Sequence, residues 1–174
     1  STLGCQVDCY LGGEHDQIPP ELWDLPGVRV VNFDTGWRYD RWYSNHNVTK
    51  VLTGLGASAW GRRRLASLLA EQHRARPYDV LYQFSTIELF GLRNHLDALA
   101  PLVVHPSTHA AGELRGMRPE RHLAARCEPW WRRLVAESLL VTRVRKQRRD
   151  IQSAQRVIAI SRRFGEHLVA DYGL

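Results

Sequence analysis

Short apolar runs separated by polar or turn-forming residues recur along the whole chain. Most runs are nearly continuous in their apolar character, which is typical of strands buried in a parallel sheet. Glycine, proline or polar clusters end each run, as expected where a strand gives way to a turn. The predicted strands span residues 5–11, 28–33, 78–84, 101–104 and 156–160.

The segments between the strands carry apolar residues at helical spacing. Leu65, Leu68 and Leu69 fall on one face of a helix that ends before Pro77. Ser161 is placed to cap the last helix and Gly173 to terminate it. The predicted helices span residues 57–76, 119–127, 129–152 and 161–173, with one more after the third strand.

Two prolines and one aromatic-rich segment refine these boundaries. Pro119 and Pro129 are each placed for the first turn of a helix. Residues 34–56 hold four aromatic side chains in a polar context, which predicts a long loop. We expect its rings to pin the loop to the core, although such rings can also stack on a sugar or a base.

The alternation of strand and helix, with crossovers long enough to keep the strands parallel, predicts a doubly wound α/β domain. Its length of 174 residues suits one domain, or half of a two-domain protein. The chain enters a strand almost at once, so we expect a first strand and first helix upstream of it. We therefore predict that residues 1–174 form one Rossmann-like domain, with a mostly parallel sheet flanked by helices.

The segment A-P-L-V-V-H-P-S-T-H-A-A-G-E, residues 100–113, stands out chemically. It begins as a short apolar strand and continues as a predicted loop of small and polar residues that includes His105 and His109. Ligands of open α/β sheets bind beyond the carboxyl ends of the strands. We therefore expect this segment to border a ligand site, unless both histidines are ordinary loop residues.

Charge and cysteine content narrow the function classes. The net charge of +6 is carried almost wholly by arginine, and residues 114–150 alone hold eleven basic and four acidic side chains. No run approaches the ~20 apolar residues that a membrane span needs, and no secretory signal pattern opens the chain. We expect a cytoplasmic protein in which Cys5, Cys9 and Cys127 are free thiols, the first two buried on a strand.

The basic segment coincides with the predicted helix 129–152, which starts with Trp130 and Trp131 and contains a cationic run from Arg143 to Arg149. Aromatic and basic side chains together favour a helix on an anionic lipid surface. A nucleic-acid face is the alternative, without any accompanying nucleic-acid motif. The plainest interpretation is a packed helix with solvated charges.

Several common sites are excluded by motif. The chain lacks G-x-G-x-x-G, G-x-x-x-x-G-K-[ST] and G-x-S-x-G, so dinucleotide, P-loop and α/β-hydrolase signatures are absent from it. No Cys/His group has zinc spacing. We expect no metal and no tightly bound cofactor.

The ending S-A-Q-R-V-I-A-I-S-R-R-F-G-E-H-L-V-A-D-Y-G-L resembles the end of the N-terminal domain of family-four GT-B glycosyltransferases, which retain configuration. The segments P-Y-D-V-L-Y-Q-F and A-P-L-V-V-H-P-S-T-H agree in order, and L-G-C-Q-V-D-C-Y-L-G-G is similar to the family's second strand. The resemblance covers most of the chain. It implies two Rossmann-like domains that face each other across a cleft, of which this chain is the first.

The resemblance implies a division of labour between the two domains. The C-terminal domain, which lies outside residues 1–174, would bind most of the nucleotide-sugar donor. This chain would receive an acceptor sugar or a lipid-linked acceptor, and alone it would be inactive. Peripheral contact with the inner face of the membrane through residues 129–152 fits such an acceptor, and nucleic acid is not expected as a partner.

The resemblance also suggests site residues. The family's N-terminal histidine lies just past the strand that starts with a proline, often about six residues after that proline. Here that place is Ser107, with His105 two residues before it and His109 two residues after it. We expect His109, and next His105, to act as a positioned hydrogen-bond donor near the reacting carbon. The acceptor is expected to contact Ser107, Thr108 and the start of the helix after the third strand, namely Ser85, Thr86 and Glu88.

The predicted function is therefore the transfer of a sugar from a nucleotide-sugar donor to an acceptor hydroxyl. One alternative is another nucleotide-using Rossmann-like enzyme, such as a two-domain sugar-nucleotide epimerase. The other is a basic module that binds anionic membrane or nucleic acid.

Overall fold

The computed structural model describes residues 4–12, 20–33, 48–84, 96, 98–127 and 129–174. Clustering of contacts divides the chain into two compact units, residues 1–71 and residues 72–174. Each unit contains one small sheet, and every strand pair in the described residues is parallel. The predicted α/β class with parallel strands is confirmed, whereas a single doubly wound domain stays a prediction.

The first unit is built on the pair β1 (Val7–Gly12) and β2 (Val28–Phe33), which run parallel with Val7 opposite Val28. β2 has the predicted bounds, and a turn with Gly27 at φ 77° leads into it, a left-handed conformation that favours glycine. β1 begins two residues later than predicted. Cys5 therefore precedes the ladder and is exposed, which corrects the prediction of a buried thiol.

The helix α1 (Val48–Ala75) starts nine residues before the predicted helix. Residues 48–56 were predicted as part of a loop because aromatic side chains stand in a polar context over residues 34–56. Gly54 and Gly56 also each disfavour a helix by about 1 kcal/mol relative to alanine. Extending an existing helix is easy, so the strongly periodic part beyond residue 57 carries these glycines with it. Leu65 and Leu69 are buried as predicted, and residues 34–47 lie outside the described residues.

The second unit holds the sheet β3 (Leu81–Phe84), β4 (Leu102–His105) and β5 (Arg156–Val157), in that spatial order. Leu102 and Val104 of the central strand are buried, as the apolar run predicts. β3 and β5, the outer strands of this sheet, are shorter than predicted. Ile158 and Ile160 are exposed because the ladder beside β4 ends at Val157, after which only the backbone N–H of Ile158 reaches Val104.

Four helices lie in the described part of the second unit after β4: α2 (Ala110–Met117), α3 (Arg121–Cys127), α4 (Trp130–Ser153) and α5 (Arg162–Tyr172). α4 lies within one residue of its predicted bounds. Pro129 is its N-cap and not part of its first turn, and Pro119 precedes α3 by two residues, so both proline placements were wrong. Both still mark where a helix begins, because proline suits the chain just before one.

α2 corrects the prediction of a loop at residues 110–113, whereas residues 106–109 do form a loop between β4 and α2. Gly112 and the two histidines are weak helix formers, so no local signal announced a helix there. The start of α2 is held by hydrogen bonds from distant residues, which a local pattern cannot predict.

Ser161 and Gly173 behave as predicted at the two ends of α5. Ser161 Oγ accepts a hydrogen bond from the N–H of Phe164 at 3.2 Å, and Gly173 has φ 69°. We expect Ser161→Ala to lower the free energy of unfolding by about 1 kcal/mol in urea titrations, because it removes this cap.

Ser138→Ala is the matched control for that loss. The Ser138 hydroxyl donates to the carbonyl of Leu134 within α4, a bond that contributes little to stability. Its removal should change the free energy of unfolding by less than about 0.5 kcal/mol. Equal losses in the two variants would contradict the capping role of Ser161.

Candidate functional site

The carboxyl end of β4 runs directly into the candidate site. His105 is the last residue of β4, and Ser107, Thr108 and His109 lead into α2, which starts at Ala110. The structure thus brings four of the predicted site residues together in residues 105–109, here called the site segment. The other three, Ser85, Thr86 and Glu88, lie outside the described residues.

The site segment is held by one buried amide. Gln147 of α4 is 1% exposed, and its Oε1 accepts hydrogen bonds from the N–H of Ala110 at 2.8 Å and from the hydroxyl of Tyr172 at 2.6 Å. Its Nε2 donates to the carbonyl oxygen of Thr108 at 2.7 Å. Both ends of the amide are therefore used, and they join α4, α5 and the start of α2.

The start of α2 has little to offer an external anion. A helix N-terminus normally presents free N–H groups to a ligand. Here the N–H of Ala110 donates to Gln147, and that of Ala111 donates to the Tyr172 hydroxyl at 3.3 Å. Tyr172 is fully buried, and this burial raises the pKa of its hydroxyl above the usual value. The N–H groups of Ala110 and Ala111 are therefore used within the protein and are not free to bind a ligand.

His109 packs against one face of α5. Its ring centroid lies 5.9 Å from that of Phe164, 6.1 Å from that of His167 and 5.5 Å from that of Tyr172. Its Nε2 lies 2.8 Å from Oδ2 of Asp171, but off the line of a hydrogen bond. His109 is the N-cap residue of α2 and has extended backbone, so it lies at the end of the loop that follows β4, as predicted.

Asp171 lies beside two basic side chains, His109 and Arg115. Arg115 donates a hydrogen bond to each of its carboxylate oxygens, both at 2.7 Å. Burial lowers the pKa of His109 below its ordinary value; Asp171 opposes this, and Arg115 and His167 add to it. His109 is consequently neutral at neutral pH. A Cβ on Gly112 would lie 2.8 Å from Nδ1 of His109, so only glycine leaves room for the ring.

His105 lies in a different environment. Its Nδ1 is 2.5 Å from the Tyr82 hydroxyl, and its ring meets Phe84 edge-on at 5.1 Å between centroids. Tyr82 and Phe84 are two apart on β3, and Phe84 is paired with His105, so all three side chains share one face of the sheet. Tyr82 is 55% and Phe84 62% exposed, which gives an open aromatic cluster of Tyr82, Phe84 and His105.

Three buried polar atoms of the site segment make no hydrogen bond. They are Nε2 of His105, Oγ1 of Thr108 and Nε2 of His109, of which the last lies beside Asp171. Leaving such groups unpaired costs about 1–3 kcal/mol each, so native proteins rarely do so without a reason. Nε2 of His105 and Oγ1 of Thr108 are the two that have no charged group beside them in the described part of the chain.

Sequence reasoning missed Tyr82, Phe84 and Gln147. The first two could have been found, because the alternation Y-Q-F ends a predicted strand at the ligand edge. Gln147 stands in a run of basic residues and carries no local signal. His109 was predicted first as a ligand contact. In the structure it packs against α5, whereas His105 belongs to the exposed aromatic cluster.

A shallow depression lies at the other end of β4, lined by Leu99–Leu102, Ser153 and Gln155. It faces the amino end of the strand, whereas ligands of parallel sheets bind at the carboxyl end. Within the described ranges, no group of three or more His, Cys, Asp or Glu side chains is arranged to hold a metal ion. No helix in the described part of the chain is both long and apolar enough to cross a bilayer.

Comparisons with protein-family models, with curated proteins and with solved structures found no match to the chain. Function therefore has to be argued from the site itself.

The hydrogen bonds of the Gln147 amide should contribute to the stability of the folded protein. Gln147→Met keeps the length and volume of the side chain but leaves the N–H of Ala110, the carbonyl of Thr108 and the Tyr172 hydroxyl without this partner. We expect the free energy of unfolding to fall by about 2–4 kcal/mol in urea titrations. Gln155→Met is the control: it is the same substitution at an exposed position and should lower the free energy of unfolding by less than about 0.5 kcal/mol. Similar losses in the two variants would contradict the stabilising role of the Gln147 hydrogen bonds.

The lowered pKa of His109 should make the free energy of unfolding depend on pH. The unfolded chain takes up a proton at this residue as pH falls below about 6.5, before the folded protein does. The free energy of unfolding should therefore decrease with falling pH from there down to the lowered pKa. His109→Gln should flatten this slope in urea titrations between about pH 8 and pH 5.

His122→Gln, the same substitution at an exposed histidine of α3, controls for the loss of one imidazole. If both variants change the slope equally, burial of His109 is not the cause.

Proposed function

We propose that this chain is the N-terminal, acceptor-side domain of a GT-B glycosyltransferase of family four. In this proposal the protein transfers a sugar from a nucleotide-sugar donor to an acceptor hydroxyl. The observation that carries it is the pairing of unsatisfied polar atoms with exposed aromatic rings at the carboxyl end of β4. A sugar offers the complement of both, because it has apolar ring faces for stacking and hydroxyls for hydrogen bonds.

The order of strands within each sheet supports the proposal. A doubly wound Rossmann sheet has the order 3-2-1-4-5-6. β1 and β2 are neighbours, as strands 2 and 3 are, and β3, β4 and β5 follow one another as strands 4, 5 and 6 do.

The contacts of His105 suggest its part in acceptor binding. If the Tyr82 hydroxyl donates to Nδ1, the proton of the neutral ring is on Nε2, which can then donate to a sugar hydroxyl or to phosphate. Nε2 has to be uncovered when the acceptor binds, because it is shielded from solvent. Thr108 supplies a second hydroxyl, and His109 fixes the far end of the site segment against α5.

The donor site is assigned to a separate C-terminal domain, so this chain alone should not catalyse transfer. No metal takes part in the proposed acceptor role. The main rival enzyme class, a nucleotide-using Rossmann-like enzyme such as a two-domain epimerase, differs by binding nucleotide in this half.

A nitrogen-15 NMR titration tests the proposal. We expect a panel of methyl glycosides at millimolar concentration to shift the amide signals of Phe84, His105 and Thr108. His105→Ala and Thr108→Val should each weaken the best glycoside about tenfold, the equivalent of one hydrogen bond. His122→Ala, at an exposed histidine of α3, is the control and should leave the affinity unchanged.

Two results would contradict the proposal. One is the absence of shifts in the site segment with every glycoside. The other is tight binding or turnover of a nucleotide sugar by this chain alone, which would favour the rival enzyme.

A further inference from the structure

One side of α4 is exposed from Trp130 to Arg149, apart from Val141, which is half-buried. Successive residues of a helix are rotated by about 100°, and the residues on this side fall within a single arc of less than half the circumference. This side, here called the outer face, consists of Trp130, Trp131, Leu134, Val135, Ser138, Thr142, Arg145, Lys146, Arg148 and Arg149.

The outer face is divided along the helix axis. Its first half is apolar, with Trp130 69% and Leu134 58% exposed. Its second half is cationic, because its four residues between positions 145 and 149 are arginine or lysine. The two halves together extend for about 28 Å, at 1.5 Å per residue.

The acids of α4 point away from this face. The helix contains only Glu137 and Asp150 as acidic residues. Glu137 pairs with Arg118 and Arg121 ahead of α4, and Asp150 is 6% exposed. The outer face therefore combines four cations with no acid of its own helix.

We propose that the outer face of α4 docks on an anionic lipid bilayer. Tryptophan and leucine bury their apolar surface at the boundary between headgroups and acyl chains, while arginine and lysine are attracted to anionic headgroups. The arrangement fits a helix lying along the membrane plane with its first half immersed. This inference stands on α4 alone and is independent of the proposed sugar transfer.

Lipid is favoured over nucleic acid by the apolar half. A phosphate backbone complements the four cations equally well. It offers nothing to Leu134 and Val135, which lie on the same face and are both exposed. A bilayer complements both halves at once.

Sedimentation of the whole chain with vesicles tests the proposal. We expect binding to phosphatidylcholine vesicles that contain about 30% phosphatidylglycerol, little binding to pure phosphatidylcholine, and weakening as salt rises. Arg145→Gln and Arg148→Gln should each weaken binding about fivefold. Trp130→Ser with Leu134→Ser should weaken it at least tenfold, because both are the most exposed apolar side chains of the face.

Two substitutions on α1 are the matched controls: Trp60→Ser, at a tryptophan that is 53% exposed, and Arg63→Gln, at an exposed arginine. Neither should change vesicle binding. Circular dichroism should show the same helix content in all variants, since every substitution is at an exposed position.

Several outcomes would overturn the proposal: equal binding to neutral vesicles, no binding to either kind, or unchanged binding in the Trp130 and Leu134 variant. Tighter binding to a short DNA duplex, with a steep salt dependence, would identify the face as a nucleic-acid surface. Each of these results leaves the glycoside titration unaffected, because that test reports on residues at the carboxyl end of β4.

Discussion

The buried amide of Gln147 is the interaction on which the candidate site depends. Its oxygen accepts hydrogen bonds from the N–H of Ala110 and from the Tyr172 hydroxyl, and its nitrogen donates one to the carbonyl of Thr108. In a low-dielectric interior such bonds are strong when complete, and the groups are costly when left unpaired. Three helices are thereby fixed to the loop that follows β4 at Thr108 and Ala110, while His105 is placed by its pairing with β3.

The site segment consequently has one closed and one open end. At the closed end, His109 is enclosed by α5 and lies beside an aspartate already held by Arg115. At the open end, His105 adjoins the exposed rings of Tyr82 and Phe84. A ligand has to bind where surface is accessible, so the open end is the stronger candidate and His109 acts better as a support.

The parts of the fold that sequence predicted well are those with local causes. β2 was predicted from a continuous apolar run, and the ends of α5 from a capping serine and a glycine in the left-handed region. α2 was missed because its start is fixed by Gln147, which is 37 residues away from Ala110. The early start of α1 was missed because residues 48–56 follow an aromatic-rich polar segment and were assigned to the same loop. The sequence indicated the site segment but did not distinguish its two histidines, because the residues that contact them lie far away along the chain, on α5 and β3.

α4 links the two surfaces that could engage partners. Its inner side carries Gln147, which holds the site segment, and its outer face carries the tryptophans and the cations. A membrane bound to the outer face would therefore orient the carboxyl end of β4 relative to the lipid, since a helix of 24 residues transmits orientation as a rigid body. No change of conformation is needed for this effect. An acceptor carried by a lipid would then reach the aromatic cluster from a fixed direction, which lowers the orientational cost of its binding.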